Sequence, residues 1–527
     1  MSKAQYDVVV VGAGSNSLSA AAYLGKAGKR VLVLEKNSSC GGGVVSREFH
    51  PGFIGDTHAT GMGLCLPNPA IANDELELLS RHGLKFFHAE AAFSTTFYEG
   101  GAILNYRDVD RTCATIAQFS PRDAKVYKEF TQVSARYLPL LLKGLYTPPM
   151  PFAGFLGMLE SSPEGRVLST AMLRSAWDVV NDLFESPELK IHLLKWVGEM
   201  MISPETKGTG IVPYMLMGIM HAVDMSGVVG GSGQMTAALI RSVQAYGGEI
   251  RTGADVVKVL NRNGRATGVV LANGEEILAK DAVVASIHPW DLGDLVEGLE
   301  PGLIAAAKSV KLSEHGAINQ QLALSEEPIW KGGAVLDSSM GVECVERDME
   351  AVRRSFDEYR YGRMPDHLSP LVFVQSRMDK TRAPEGKAQI YLYHFAPMLL
   401  ADGGLEGWDA KKQEVADAVF DDFCRYTTNI DRSKILGRLI ETPLDHHRHS
   451  ASMKHGDIFG CGTFTSQFMG RRPIPELGQY RVPGAEGLYL TGPFMHPGGT
   501  VTLGGRNTAM RMLMDWGVDL RTVFKSL

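Results

Sequence analysis

Two glycines and a glutamate near the start of this 527-residue chain have the types and spacing that dinucleotide binding requires. Gly12 permits a tight turn, and Gly14 lets the backbone approach a pyrophosphate that would collide with a Cβ atom. Glu35 follows about 20 residues later, where an acid binds the ribose hydroxyls and repels a 2′-phosphate. The spacing therefore predicts a dinucleotide site at the N-terminus.

The segments around these residues follow a βαβ pattern. Residues 8–11 are a run of valines, as expected for a parallel strand that is buried on both faces. An alanine-rich helix comes next, so the phosphates would lie at its N-terminus, where unpaired N–H groups and the positive dipole end favour an anion. Residues 31–34 form the second strand. Ser17 replaces the third glycine of the fingerprint, and we expect this small residue to be tolerated.

Histidines form a second group of candidate catalytic residues. His446, His447 and His449 lack the regular spacing of a strong metal site, and no acid or thiol completes a ligand set, so no metal is predicted there. His447 is a candidate general base instead. His496 is another candidate, which could also position a ring or bond a carbonyl group. His288 is interpreted as a loop residue at a strand end.

The composition limits the classes of protein to which this chain can belong. Apolar content of 44% and charged content of 21% indicate a soluble globular protein, and the length indicates two or three structural units. The net charge of −6 and the absence of a basic stripe in the sequence argue against a nucleic-acid partner. No basic and apolar leader precedes the first strand, so we expect no cleaved secretion signal.

Cysteine usage and hydropathy indicate a cytoplasmic location. The six cysteines include no Cys-x-x-Cys pair, which suits a reducing compartment and removes the dithiol of a flavin disulfide reductase. No apolar stretch in the sequence is long enough for a bilayer span. Residues 138–142 and 152–158 could still dip into a membrane surface, so peripheral membrane contact stays open.

Two later segments continue the nucleotide-binding pattern. Residues 230–247 read as a glycine-rich turn and a helix, and strands are predicted at 249–251, 255–260, 266–271, 276–278 and 281–286. Near the C-terminus, a strand at 487–490 precedes a loop at 496–499 and a final helix that opens at Gly504. A nucleotide domain that is interrupted twice implies two insertions that build a second domain.

The chain resembles the phytoene desaturase family of FAD-dependent oxidoreductases, and within it the carotenoid ketolase and "pyridine nucleotide-disulfide oxidoreductase domain 2" branch. The resemblance covers both ends and the middle segment but is thin over residues 71–225. It is carried by the following motifs: residues 12–18, Glu35, 41–43, 51–53 with Asp56, 231–234, 442–445, 472–473, 487–490, 496–499 and 505–507.

The resemblance implies an α/β fold with a Rossmann-like FAD-binding domain of the glutathione reductase and amine oxidase type. This domain is assigned to residues 1–70, 226–299 and 426–527. An inserted α+β substrate domain is assigned to residues 71–225 and 300–425, with a helical lid or membrane-facing part near 130–225.

The resemblance also implies the residues that hold FAD. The backbone of Val257 would lie near the adenine, the turn at Gly492 near the pyrophosphate and ribitol, and the loop at 496–499 near the isoalloxazine. The full set is Gly12, Gly14, Ser15, Asn16, Glu35, Lys36, Gly42, Gly43, Val257, Gly492, Pro497, Gly498 and Gly499. Two departures from the family pattern, at 446–447 and 493–495, fall near the expected flavin face.

By this resemblance the protein is an FAD-dependent oxidoreductase that dehydrogenates or oxygenates a hydrophobic, polyene-like or carotenoid-like molecule. Oxygen, a quinone or another acceptor would take the electrons. Methionines at 215–225 and aromatic residues at 152–155 could line an apolar tunnel. A flavin amine oxidase, a non-catalytic flavin-binding protein and a reductase or isomerase stay open as alternatives. The substrate, NAD(P)H use and homo-oligomer formation stay open too.

Overall fold

The structure is a computed structural model that describes residues 6–526. Its strands are β1 (Tyr6–Val11), β2 (Val31–Leu34), β3 (Ser46–His50), β4 (Phe53–Asp56), β5 (Phe86–His88), β6 (Ala91–Phe97), β7 (Ala102–Tyr106), β8 (Ser226–Val228), β9 (Glu249–Arg251), β10 (Val256–Arg262), β11 (Arg265–Leu271), β12 (Glu276–Ala285), β13 (Gly316–Leu324), β14 (Ser339–Val345), β15 (Leu371–Phe373), β16 (Ala388–Ala396), β17 (Ile435–Glu441) and β18 (Leu488–Leu490).

The helices connect these strands and cover their faces. They are α1 (Ser15–Lys26), α2 (Pro69–Ala72), α3 (Val109–Ile116), α4 (Pro121–Leu145), α5 (Phe152–Glu160), α6 (Pro163–Ala171), α7 (Ala176–Leu183), α8 (Pro187–Gly198), α9 (Val212–Ala222), α10 (Gly233–Ala245), α11 (Leu292–Leu295), α12 (Pro301–Lys308), α13 (Met349–Arg360), α14 (Gln375–Met378), α15 (Trp408–Cys424), α16 (Pro443–His449) and α17 (Gly505–Asp515).

The first sheet has the strand order β10-β11-β12-β1-β2-β9, and β18 pairs with β12. β1 runs parallel to β2 and β12, with Val9 opposite Leu32 on one side and Val283 on the other. Its valines at 8–10 are fully buried, as a strand covered on both faces requires. The predicted Rossmann-like fold is therefore confirmed.

One long strand replaces two strands predicted from the sequence. The sequence pattern separates residues 276–278 from 281–286, but β12 is continuous from Glu276 to Ala285. Its first part pairs antiparallel with β11 and its second part pairs parallel with β1, so successive hydrogen-bond partners hold it extended throughout.

The second sheet has the order β17-β13-β16-β15-β14-β6-β7. Helices α4 to α9 pack on one face around Phe93, Trp196 and Tyr391, and α15 packs on the other face. Strand β17 pairs with β13, with Asn319 opposite Glu441, so residues 435–441 belong to this sheet. The sequence-based boundary at 425 placed residues 435–441 in the nucleotide domain. The pairing of β17 with β13 corrects that assignment.

Among residues 6–526, no helix combines the length and hydropathy needed to cross a membrane. The longest helix is α4, with 25 residues.

A buried ion pair ties the end of the chain to the first βαβ unit. Glu75 accepts hydrogen bonds from Arg506 Nε at 2.8 Å and from the hydroxyl of Tyr23 at 2.6 Å. Both charged side chains are almost fully buried. Burial raises the pKa of Glu75, but the hydrogen bond and charge of Arg506 outweigh it, so the pKa lies below its ordinary value of 4.5.

We predict that Glu75→Gln lowers the free energy of unfolding at neutral pH by about 3–5 kcal/mol, because it leaves the Arg506 guanidinium buried without a counter-charge. Glu77→Gln, which breaks the exposed Glu77–Arg81 pair, is the control and should change it by less than about 1 kcal/mol. Urea unfolding followed by tryptophan fluorescence measures both.

The same pair gives a pH dependence. Because folding lowers the pKa of Glu75, its stabilisation is present above the ordinary carboxyl pKa and is lost as the pH falls through the folded value. The difference between wild type and Glu75→Gln should therefore shrink below pH 4.5. A difference that stays constant down to acid pH would contradict this role of the carboxylate.

Candidate active site

A cavity of about 460 Å³ extends between the first and second sheets. One end is formed by the loops at the carboxyl ends of β1, β2 and β18. The other end is formed by the inner face of the second sheet and by α8 and α9. In open α/β sheets, ligands bind outside the carboxyl ends of the strands.

The turn after β1 is shaped for a phosphate. Gly12 has a φ of +87°, which favours glycine, and its N–H donates to the carbonyl of Leu34. A Cβ at Gly14 would meet no atom of the described chain within 4 Å and would point into open space. Within residues 6–526, no side chain caps the N-terminus of α1, so its N–H groups are available to an anion.

Glu35 is fixed at the end of β2. Its carboxylate accepts hydrogen bonds from the N–H groups of Ala13 at 2.8 Å and Asn37 at 2.9 Å, and the side chain is buried at the cavity wall. Two backbone donors hold the acid where the βαβ pattern predicts a ribose.

Glycines 41–43 close the turn from the other side. Gly41 donates to the carbonyl of Ala13, and a Cβ at Gly42 would lie 3.2 Å from the Cα of Gly14. The two loops therefore approach more closely than side chains would allow.

The loop after β18 completes the nucleotide end of the cavity. Gly492 has a φ of +127°, and with Pro493 and Gly499 it lines the cavity. Arg472 is buried behind the loop and donates to the carbonyls of Pro493 and Phe459 at 2.8 and 3.1 Å. These features match an extended dinucleotide with a ring system at its far end.

Most of the predicted cofactor residues line the cavity, and three do not. The residues on its wall are Gly12, Gly14, Ser15, Asn16, Glu35, Lys36, Gly42, Gly43, Gly492 and Gly499. Val257 is 45% exposed because it lies on the outer face of β10, while its neighbour Val256 lines the cavity. Pro497 and Gly498 lie behind the wall, where a Cβ at Gly498 would collide with the Arg472 guanidinium.

The two histidines proposed as catalytic also lie off the cavity wall. His496 is buried, and its Nε2 donates to the carbonyl of Gly144 at 2.9 Å. His447 packs with its ring against His455 on the other side of α16. Their catalytic role stays a prediction, and the histidines that line the cavity are His58, His288, His446 and His449.

The geometry of helix α16 explains why His446 and His449 line the cavity and His447 does not. Thr442 and Asp445 form a capping box that begins the helix, in which the Asp445 carboxylate accepts from the Thr442 N–H at 2.8 Å. His446 and His449 are three residues apart and so share the face towards the cavity, whereas His447 does not. The spacing of these histidines was not recognised as helical from the sequence.

The opposite end of the cavity is apolar and aromatic. It includes only part of the predicted tunnel: Met220 and Met225 line it, whereas Met217 lies in the core and Phe155 lines a smaller pocket beside α4. The apolar wall consists of Phe93, Trp196, Met200, Met201, Leu216, Ile219, Met220, Met225, Leu371, Phe373, Tyr391 and Tyr393.

One carboxyl group, Glu199, lies on this apolar wall. Behind it, Lys195 bonds to Glu343 at 2.9 Å, and both side chains are buried. Burial and the negative charge of Glu343 raise the pKa of Glu199 well above its usual range, against the charge of Lys195. Lys195 pairs with Glu343 and not with Glu199, so burial and the charge of Glu343 favour the neutral form of the Glu199 carboxyl group.

A polar cluster separates the two ends. His58, in the loop after β4, packs against the rings of His446 and His449, with centroids at 5.1 and 4.7 Å. Its Nδ1 lies 3.3 Å from Oε2 of Glu441, at the end of β17. Burial lowers the pKa of His446 to about 4 and that of His58 well below its usual range, and it raises that of Glu441 to about 7. Three elements build this cluster, namely the loop after β4, the end of β17 and helix α16, and no local sequence motif predicts it.

The sequence profile of one known family, described as flavin containing amine oxidoreductase, matches residues 18–399. The chain belongs to this family. The predicted cofactor is thereby confirmed: the protein is an FAD-dependent oxidoreductase, and the family implies a substrate and an electron acceptor.

The chain is similar along nearly its whole length to several known proteins. It is 30% identical to "pyridine nucleotide-disulfide oxidoreductase domain-containing protein 2" of Rattus norvegicus, over 97% of this chain and 94% of that protein. It is 27% identical to one of the limonene dehydrogenase polypeptides of Castellaniella defragrans, over 98% of this chain and 96% of that protein. The resemblance stated from the motifs is confirmed.

A solved structure shares the fold. Cyclohexylamine oxidase from Brevibacterium oxydans superimposes on this protein with a TM-score of 0.60, over 97% of this chain and 99% of that one. The two sequences are 13% identical, so this likeness concerns the fold alone.

We predict that Gly14→Ala weakens FAD binding by about tenfold or more, because the methyl group fills the space between the loop and the phosphates. The apo fold should be unchanged, since Gly14 has a φ of −70° that alanine adopts freely. FAD titration by fluorescence and thermal melting of the apoprotein measure the two effects.

The matched control is Gly302→Ala in α12, where a Cβ also meets no atom of the described chain within 4 Å. It should bind FAD as the wild type does. Unchanged FAD affinity in Gly14→Ala would show that the pyrophosphate lies elsewhere.

Proposed function

We propose that this flavoenzyme dehydrogenates a neutral, hydrophobic small molecule that binds between the flavin and the second sheet. The observation that supports the proposal is the apolar wall opposite the FAD cradle, which consists of aromatic, methionine and aliphatic side chains. Such a wall favours a ligand of low polarity, because a charged ligand would lose its hydration there without equal compensation.

The proposal assigns each end of the cavity a task. When bound, FAD supplies the acceptor for two electrons and one proton from the substrate, and the second proton leaves to a base or to solvent. Trp196, Tyr391 and Phe373 position the carbon skeleton and exclude water. The FAD cradle at 12–14 and 41–43 fixes the ring system against which the substrate lies.

Glu199 gives the wall one polar contact. In the neutral form, which burial favours, its carboxyl group can donate a hydrogen bond to a hydroxyl, carbonyl or ether oxygen, or to the π face of a double bond. The similarity to a limonene dehydrogenase polypeptide supports a substrate of the terpene or polyene class.

Amine oxidation is the second candidate. The similarity in fold to cyclohexylamine oxidase is compatible with it, and the presence of a carboxyl group in the cavity favours it. An ammonium group would need Glu199 ionised, and burial together with Glu343 opposes this. The neutral substrate is therefore the function that the geometry supports better.

Anaerobic flavin reduction tests the proposal. The FAD-loaded protein is mixed separately with limonene, a carotenoid in detergent micelles and cyclohexylamine, and the visible absorbance of the flavin is followed. Bleaching by a hydrocarbon that reverses with oxygen or a quinone supports dehydrogenation. Bleaching by the amine alone would move the enzyme to C–N oxidation. The cytoplasmic location, membrane contact and homo-oligomer formation stay predictions.

We predict that Glu199→Gln keeps the rate of flavin reduction by a neutral substrate within about threefold of wild type, because the amide is neutral and of the same shape. For an amine substrate the rate should fall about tenfold or more, since no carboxylate is left to pair with the cation.

Glu205→Gln serves as the control for the Glu199 variant. Its carboxylate pairs with Arg353 away from the cavity wall, so neither substrate should react more slowly. A large loss of hydrocarbon oxidation in Glu199→Gln would show that the acid transfers a proton, which the proposed neutral contact does not require.

A further inference from the structure

The cluster of His58, Glu441 and His446 brings together ligand types that transition metals prefer. One ring nitrogen of each histidine and one oxygen of Glu441 all lie within 4.8 Å of one another, and all three residues are buried. They come from the loop after β4, the end of β17 and helix α16. The set is thus two imidazoles and one carboxylate on three separate elements of the fold.

Buried atoms of this cluster lack hydrogen bonds in the part of the chain that the structure describes. They are Nδ1 and Nε2 of His58, Oε2 of Glu441 and Nδ1 of His446. His58 Nδ1 and Glu441 Oε2 are 3.3 Å apart but are not aligned for a hydrogen bond. Buried polar groups in folded proteins are normally paired, so these atoms indicate a partner that the protein itself does not supply.

The surrounding contacts hold the three side chains in place. His446 Nε2 lies 2.8 Å from Oδ1 of Asn319, whose amide group donates to the carbonyl of Thr57 at 2.9 Å. Arg47 donates to Oε1 of Glu441 at 2.9 Å and leaves Oε2 free. Metal-binding histidines and carboxylates are typically oriented by contacts of this kind.

A shared proton is the simpler alternative, and it explains less. A proton between Glu441 and His58 would satisfy one atom of each residue. It would leave Nε2 of His58 and Nδ1 of His446 buried without partners among residues 6–526. A cation that binds several of these atoms at once gives a partner to more of them than a shared proton does.

We propose that His58, Glu441 and His446 bind one divalent transition metal ion, of the class of Zn²⁺, Fe²⁺ or Co²⁺, that prefers nitrogen and oxygen ligands. The ligands need to move closer by about 1 Å, since zinc bonds to histidine and carboxylate are about 2.0–2.2 Å long. This proposal is independent of the substrate proposed above and differs from the His446, His447 and His449 set considered from the sequence.

The proposed site has one open side. His58 and His446 line the cavity, and three protein ligands leave at least one coordination position for water or for an oxygen atom of a ligand. The metal would therefore lie between the FAD cradle and the apolar wall, where it could orient a polar substituent of the molecule that binds there.

Metal analysis of the whole chain tests the proposal without a known substrate. The protein is purified without an affinity tag that binds metals, stripped with a chelator, reloaded separately with Zn²⁺ or Co²⁺, and desalted. Mass spectrometry of the elements should find about one ion per chain, and X-ray absorption should show only nitrogen and oxygen ligands at about 2.0–2.2 Å. No retained ion after loading, or sulfur ligands, overturns the proposal.

Variants locate the ion. His58→Gln and Glu441→Gln should each lower metal retention about tenfold or more, as the loss of a ligand implies. His447→Gln is the matched control, because it changes the neighbouring histidine of the same helix and should leave retention unchanged. FAD content and melting temperature show which variants fold.

Equal metal retention in wild type and both ligand variants places the ion elsewhere and overturns the assignment. If both ligand variants fail to fold, the wild-type protein still decides whether a metal ion binds at all: no retained ion, or sulfur ligands in its coordination spectrum, overturns the proposal. Loss of FAD binding by the wild type would overturn the cofactor assignment and leave the metal result standing.

Discussion

The buried pair of Asp56 and Arg382 is the interaction on which both halves of the cavity depend. Both side chains are fully buried, and Nη2 of Arg382 donates to Oδ2 of Asp56 at 3.0 Å. The other oxygen of Asp56 accepts from the N–H of Ser232, at the start of α10, at 2.7 Å. One carboxylate thus joins the β3–β4 hairpin, a helix of the nucleotide domain and a loop of the second sheet. An isolated buried charge would be costly, so the three elements are held together.

The same constraint explains why two chemically different surfaces face each other. The backbone carbonyl of Asp56 accepts from Gln321 on β13, and the chain then passes directly to His58 on the cavity wall. Gln375 also donates to Asp56, at 2.9 Å, from the start of α14. Polar contacts of Asp56 therefore help to fix the position of the apolar wall relative to the FAD cradle.

Local sequence was sufficient to predict the nucleotide end of the cavity, because the residues that form it are close together along the chain. The turn at Gly12, the helix after it and the acid at Glu35 belong to one βαβ unit, and the strands at 31–34 and 249–251 have the predicted bounds. The error at β12 has the same origin. Pairing with β11 and then with β1 is a tertiary property, and the local sequence around the predicted break at 279–280 does not reveal it.

For the apolar end of the cavity, the sequence predicted the kind of side chain but not most of the residues. Met220 and Met225 share the cavity wall with Tyr391 and Phe373, which lie far away in sequence on β16 and β15. His58 and Glu441 likewise meet through the pairing of β17 with β13, which no sequence period encodes. Contacts of this kind depend on the order of strands in the second sheet, and the sequence contains no motif for that order. The apolar wall and the cluster of His58 and Glu441 therefore form only when the second sheet is assembled. For this reason their residues could not be grouped together from the sequence.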